Sequence, residues 1–270
     1  MTANATRALG LRIVPVVGSG HWRVVERNFL VYRRNWVIFL SGMFEPVLFL
    51  LSIGVGVGSL VGRFPLADGS QVGYVEFVAP AMLAASAMNG ALFDSTYNVF
   101  FKMTFEKQYD ALLATPLGPG DIARGEVTWA LLRGACYSAA FIVIMVVMGL
   151  VTSWWMLLAL PATMLIGYAF AGTGMALTTW MRSWQDFEYV QLAIMPMFLF
   201  SATFYPLSTY PDPIEAIVRW TPLYQGVVLC RDMALGTMGW ECVTAVLYLA
   251  VMGSVGLYVA SRRVGTLLLT

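Results

Sequence analysis

Apolar residues in this chain run in blocks of twenty or more, each bounded by a short polar or proline-rich interval. A helix needs roughly 20 such residues to cross a bilayer, so the pattern predicts an all-α polytopic membrane fold with six spans. They fall at about Trp36–Leu60, Tyr74–Phe101, Arg124–Leu150, Trp154–Trp180, Phe187–Tyr205 and Trp240–Ala260. Pro196 is placed to kink the fifth. Gly54, Gly58 and Gly62 in and just after the first recur every fourth residue, a spacing that lets helices approach closely. The whole chain, 1–270, reads as one transmembrane unit. It comprises a tail over 1–20, an interface helix over 21–35, spans one to five within 36–205, a further segment over 206–239 and span six over 240–261.

Two stretches follow a different pattern. In Phe105–Asp121, Phe105, Tyr109, Leu112 and Leu113 share one face of a helix, and Glu106, Lys107 and Asp110 take the other. Pro116 biases Thr115 out of helical geometry, Gly118-Pro119-Gly120 forces a turn, and Asp121 is placed to cap the next helix. A short amphipathic helix with a hard stop between two membrane-length runs is a surface piece for a partner to grip. Its alternative is a helix resting on lipid headgroups. In His21–Arg34, Trp22, Val25, Phe29, Tyr32 and the following Trp36 recur at helical spacing, while Arg23, Arg27 and Arg34 gather on another face. That is the pattern of a helix in the membrane plane, aromatic rings toward lipid and arginines toward phosphate.

Charge placement then orients the chain. Six spans put both termini on one side, which also carries Arg7, Arg12, Arg23, Arg27, Arg33, Arg34, Lys102, Lys107, Arg124, Arg182, Arg262 and Arg263. Only Arg63, Arg219 and Arg231 fall opposite. The positive-inside rule places the termini and the Phe105–Asp121 stretch in the cytoplasm, and 206–239 outside. There, Asp212-Pro213-Ile214-Glu215 reads as a helix start, Thr221-Pro222 as another, and Gly236 as the stop of the second. Two such helices, too short to span, either dip into the outer leaflet and return or form a folded cap.

Composition agrees with a membrane chain: 59% hydrophobic and 11% charged, against about 25% charged in soluble domains. Once the basic residues are assigned to membrane edges no basic face remains for nucleic acid. The first twenty residues, interrupted by Arg7, Arg12, Pro15 and Gly18, do not read as a signal peptide and are expected to stay in place. Cys136, Cys230 and Cys242 have no metal or redox spacing, and a bond between Cys230 and Cys242 stays open. The single His21 reads as an interfacial side chain, so no metal site is expected.

Glu45, Asp94 and Arg133 lie inside apolar runs and Glu126 near the start of one. Glu45 and Arg133 sit about nine residues in, roughly 14 Å at helical rise. Charges at that depth should face inward, as a static interhelical pair or as a polar lining that meets substrate headgroups. No phosphate-binding loop accompanies the only two lysines, Lys102 and Lys107, and there is no nucleophile elbow or H-E-x-x-H motif. The chain therefore reads as a non-enzyme without a cofactor of its own.

Several separate stretches, in order, are similar to one family: F-E-P-V-L-F-L-L-S-I-G-V-G-V-G (44–58), Y-D-A-L-L-A-T-P-L (109–117), P-M-F-L-F-S-A-T-F-Y-P-L (196–207) and T-P-L-Y-Q-G-V-V-L-C-R (221–231). From about residue 21 to 263 the chain resembles the type-2 ABC exporter permeases, within them the nodulation-factor exporter (nodulation protein J-like) subfamily. It departs at Asp94 and Gln225, where the family pattern has Glu and His. The resemblance implies a bacterial cytoplasmic (inner) membrane subunit that pairs with a second permease copy. It also implies a separate ATP-binding subunit, which holds ATP and Mg and docks on Phe105, Glu106, Tyr109, Asp110, Leu112, Leu113 and Pro116. The interface helix would use Trp22, Phe29, Arg33 and Arg34, and the outer helices, with Pro213, Ile217, Pro222 and Arg231, would gate exit. The implied cargo is amphipathic: a lipo-oligosaccharide, a glycolipid or, in a drug exporter of the same architecture, an antibiotic. Readings of another class are an intramembrane lipid-modifying enzyme, for which no convergent acid, base or metal set exists in sequence, and a non-transporting scaffold subunit.

Overall fold

The computed structural model describes residues 20–34, 44, 47–65 and 71–269. The tail, much of the first expected span with Glu45, and the Arg34 side chain lie outside the described residues. The described chain is helical apart from its connections and one antiparallel ribbon, β1 (Arg63–Pro65) with β2 (Gln71–Gly73). The helices are α1 (Gly20–Arg34), α2 (47–61), α3 (Tyr74–Thr104), α4 (Gln108–Leu113), α5 (Pro119–Val147), α6 (Trp154–Thr178), α7 (Phe187–Phe200), α8 (Asp212–Arg219), α9 (Pro222–Leu235) and α10 (Trp240–Leu269). Four of them, α3, α5, α6 and α10, are long and apolar enough to cross a membrane.

The helix starts follow local chemistry. Pro119 opens α5 at a position whose N–H would be unpaired anyway. Asp121, expected as the cap itself, stands instead in the first turn and reaches back to accept from Gly118 N (3.2 Å). Glu76 does the same for α3, accepting from Gly73 N (3.1 Å). At the far end of α9, Gly236 takes φ +81°, a conformation that favours glycine, and stops the helix.

The expected fifth span is shorter than its apolar run. α7 ends at Phe200 rather than Tyr205. Beyond it the buried hydroxyls of Ser201 and Thr203 bond to each other (2.9 Å). Ala202 adopts φ +55°, and its carbonyl accepts from Arg231 Nη2 (2.8 Å). A guanidinium from α9 thus takes a carbonyl at the point where the helix gives out. Of the short outer helices, α8 starts a residue earlier than expected, with Pro211 rather than Asp212 as its flanking residue, while α9 starts at Pro222 after Thr221 as expected.

α6 and α10 pack backbone against backbone. A Cβ on Gly172 would lie 2.6 Å from Gly253 O, and one on Gly256 2.5 Å from Thr173 N, so the two backbones touch where no side chain fits. Gly54 and Gly58 behave as their spacing predicts, both facing Val75 of α3, but Gly62 has open space and a φ of +70° at the end of α2. At one end of the bundle α4 sits beside the start of α5, with Gly265 of α10 facing Pro119. At the other, Thr152 Oγ1 donates to Ala234 O (3.0 Å) and joins the start of α6 to the end of α9.

Candidate functional site

The site is built where α1, α3, α4 and α5 meet. α1 lies against α5, and the contact is close: a Cβ on Gly125 would fall 2.5 Å from Val24 Cβ and 2.9 Å from His21 O. This crossing puts Val24, Val25 and Asn28 against the protein, all buried, and leaves Trp22 and Phe29 more than half exposed. The expected single apolar face of α1 is therefore divided. Val25 packs inward and Tyr32 is half-buried, while the two rings left outside are free to meet lipid. Arg33 is exposed.

Beneath that crossing lies a closed polar junction. Lys102 Nζ, near the end of α3, reaches Glu126 Oε2 at 2.7 Å, and Asn28 Nδ2 donates to the same oxygen at 3.0 Å. Glu126 and Asn28 are buried and Lys102 is partly so, and a charge pair largely inside the protein is screened less than one at the surface. A second pair stands deeper: Arg133 of α5 is ion-paired and hydrogen-bonded to Asp94 of α3. Asn98 donates to the same Asp94 oxygen (2.8 Å) and Arg133 Nη1 donates to Tyr32 OH (2.8 Å). The acid opposite Arg133 is thus Asp94, and Glu126 has a different cation. Asp94 lies on a π-helical turn, Asp94–Asn98, whose wider pitch re-aims the α3 side chains there.

α4 closes the junction from outside. Tyr109 is fully buried, and its hydroxyl and Glu126 Oε1 are both enclosed without a hydrogen bond of normal geometry. Burial first, and the neighbouring Glu126 carboxylate second, hold the phenol well above its ordinary pKa, so Tyr109 keeps its proton. Arg27 of α1 donates to Gln108, the first residue of α4.

The expected outward knob of Tyr109, Leu112 and Leu113 is therefore the inward face. Leu112 and Leu113 are half-buried and packed on the core. Helical spacing shows that these three share a side; it does not say whether that side meets a partner or the chain's own α5. The face left outside carries Phe105, Glu106, Lys107, Asp110, Ala111 and Pro116. The helix is also shorter than expected, since Lys107 takes a left-handed φ of +47° and α4 begins only at Gln108.

Sequence reasoning passed over Asn28 and Gln108 and placed Lys102 only among the basic residues of the membrane edge. The available signal was a polar Asn28 one turn from Val24 and Tyr32 on an otherwise apolar face. At the opposite end, Arg231 is buried, its guanidinium 3.6 Å from the Phe77 ring and its Nε donating to Phe77 O (3.3 Å). Pro213 and Ile217 are exposed and Pro222 half-buried, whereas Arg231 is buried. Cys230 and Cys242 are both free thiols, and Cys242 Sγ donates to Asp232 Oδ2 (3.3 Å). Among the described residues no group of three His, Cys, Asp or Glu side chains could hold a metal ion.

The profile of the ABC-2 type transporter family matches residues 21–235, from α1 to the end of α9. The chain belongs to the ABC-2 type transporter family. Within it, the permease is of the nodulation protein J type. It is 33% identical over 231 residues to nodulation protein J of Rhizobium leguminosarum bv. viciae, covering 84% of this chain and 87% of that protein. It is 34% identical over 223 residues to nodulation protein J of R. leguminosarum bv. trifolii, covering 81% and 83%. Against nodulation protein J of Bradyrhizobium diazoefficiens it is 30% identical over 249 residues, covering 88% and 93%. The all-α reading and the family resemblance drawn from sequence both stand, and the chain is a membrane-embedded ABC-2 permease.

Proposed function

We propose that this permease moves an amphipathic substrate, of the lipo-oligosaccharide or glycolipid kind, outward across the cytoplasmic membrane of a bacterium. Energy comes from ATP and Mg bound to a separate ABC ATP-binding subunit that docks on α4. The observation that carries this reading is the two-sidedness of α4. One side is exposed and mixed in chemistry, with Phe105, Glu106 and Asp110, as a docking rim and anchor require. The other buries Tyr109 at the junction of α1, α3 and α5. A push on such a helix reaches three other helices at once. The substrate class follows the nodulation protein J relatives.

A second permease copy completes the assembly. α7 is held at its base, where Phe187 stacks on Tyr97 (centroids 4.1 Å), and Phe187 is its only buried residue. Ile194, Met197 and Phe198 are half-buried against the core, whereas the polar Glu188 and Gln191 are exposed among the described residues. A polar stripe on a membrane helix suits a seam between copies better than lipid. Both termini and α4 face the cytoplasm in this reading, as the arginine distribution requires.

The test is co-expression with the ATP-binding subunit. Asp110→Arg combined with Ala111→Trp, both on the exposed side, should leave insertion intact. It should abolish partner copurification and substrate-stimulated ATP hydrolysis. Undiminished ATPase activity from that pair would end the docking assignment.

A further inference from the structure

At the end of the bundle opposite α4 there is a small open cleft of about 130 Å³, lined by Arg219, Tyr224, Gln225, Val228, Glu241 and Thr244. We infer that it is a binding site for a neutral, hydroxyl-rich headgroup, such as the sugar of a glycolipid. The inference rests on the export reading for the choice of a glycolipid and goes beyond it in placing a headgroup at this cleft, which can hold one whether or not the chain is energised.

Three helix segments build the cleft: the end of α8, the first turns of α9 and the first turn of α10. Its walls are fixed from behind. Arg219 is held by Glu215, with Nε–Oε1 at 3.1 Å and Nη2–Oε1 at 2.7 Å. Gln225 Nε2 donates to Arg219 O (2.6 Å), which leaves its amide oxygen without a partner. Tyr248 OH donates to Trp220 O (2.9 Å) and ties the chain between α8 and α9 to α10. By contrast, the Tyr224 hydroxyl and the Glu241 carboxylate have no hydrogen bond to any described residue.

The groups that face the cleft without a hydrogen bond to a described residue thus comprise two acceptors, Gln225 Oε1 and the Glu241 carboxylate, and a donor-acceptor, Tyr224 OH, with Val228 as an apolar wall. A sugar hydroxyl is both donor and acceptor, and a ring presents C–H faces as well, so it meets all four. Charge argues against an anion: the one guanidinium, Arg219, is already faced by Glu215, and Glu241 adds a second carboxylate. Depth is set by Trp220 and Trp240, 75% and 76% exposed, which close the segments on either side. Indole rings so placed belong at the headgroup level of a membrane. The volume suits one ring of a headgroup, well below the roughly 300–1,000 Å³ of pockets for whole drug-sized molecules.

The test is native mass spectrometry of the full-length permease, given equimolar monoglucosyl diacylglycerol and phosphatidylcholine. Wild type should retain the glucolipid in preference to phosphatidylcholine. Glu241→Gln with Tyr224→Phe should lower glucolipid retention by about fivefold or more, as expected for lost hydrogen bonds of this kind. Because both changes keep shape, the thermal melt should not move. Equal glucolipid retention in wild type and variant overturns the site, and so does preferential retention of phosphatidylcholine, which would assign the cleft to a cationic headgroup. No ATP-binding subunit is present, so a negative result leaves the docking of α4 untouched, and a failure of α4 docking leaves this result untouched.

Discussion

Lys102 Nζ lies 2.7 Å from Glu126 Oε2, tying the last turns of α3 to the start of α5 directly beneath α4. Asn28 of α1 shares the same oxygen, so one carboxylate collects three helices. Removing one member leaves the other as an enclosed, uncompensated charge, which typically costs about 3–5 kcal/mol. Glu126→Ala or Lys102→Ala should therefore lower the melting temperature sharply in detergent. Lys102→Met with Glu126→Leu should regain most of the loss, because apolar replacements of similar volume need no partner. A pair of single variants that melt like wild type would refute the junction.

Tyr109 separates folding from docking. Tyr109→Phe keeps the buried ring and loses only the hydroxyl, with an expected cost of about 0.5–1.5 kcal/mol. Tyr109→Asp places a second carboxylate beside Glu126 in an enclosed site, and should fail to give folded permease at all. Were Tyr109→Asp to insert normally and lose only the ATP-binding partner, the ring would have to face outward, contrary to its burial.

The α6–α10 crossing leaves no room for a methyl group. Gly172→Ala would press its Cβ to within 2.6 Å of the Gly253 carbonyl, and backbone on both sides has nowhere to move. Yield of monodisperse protein and melting temperature should both fall. Gly134→Ala on α5, where a Cβ meets nothing within 4 Å, should be neutral or stabilising, since alanine is the better helix former by roughly 1 kcal/mol.

Along α7, single cysteines at Gln191 or Leu192 should form cross-links between two copies in membranes, whereas one at Ala171, buried in α6, should not. Cross-linking yields that match at all three positions would argue that α7 faces lipid.

Arg231 offers a check on the opposite end. Its guanidinium holds Phe77 O and Ala202 O and covers the Phe77 ring, so Arg231→Met should free the turn after α7. Amide hydrogen exchange over 201–206 should rise while exchange in α5 stays as in wild type.

The sequence by itself determined the class of this protein. Apolar blocks of membrane length, proline and glycine at element ends, and an amphipathic interval between two blocks are local properties, and local properties suffice to mark helices and their stops. They were also enough for the family, because Y-D-A-L-L-A-T-P-L and the other matched stretches are read one after another along the chain. Tertiary structure decided which face meets what. Periodicity grouped Tyr109 with Leu112 and Leu113 but could not tell α5 from a partner, and it grouped Trp22 with Val25 although only Val25 packs inward. Sequence set Glu45, Asp94, Glu126 and Arg133 in or near apolar runs without pairing them, and the ion pairs formed are Lys102–Glu126 and Arg133–Asp94. Their selection depends on how α3 and α5 are rotated against each other, and that rotation is set by close contacts such as Gly125 with Val24 and Gly174 with Ser95. The length of α7 was hidden for the same reason. Its apolar run continues to Tyr205, and what ends the helix at Phe200 includes the guanidinium of Arg231, far along the chain on α9.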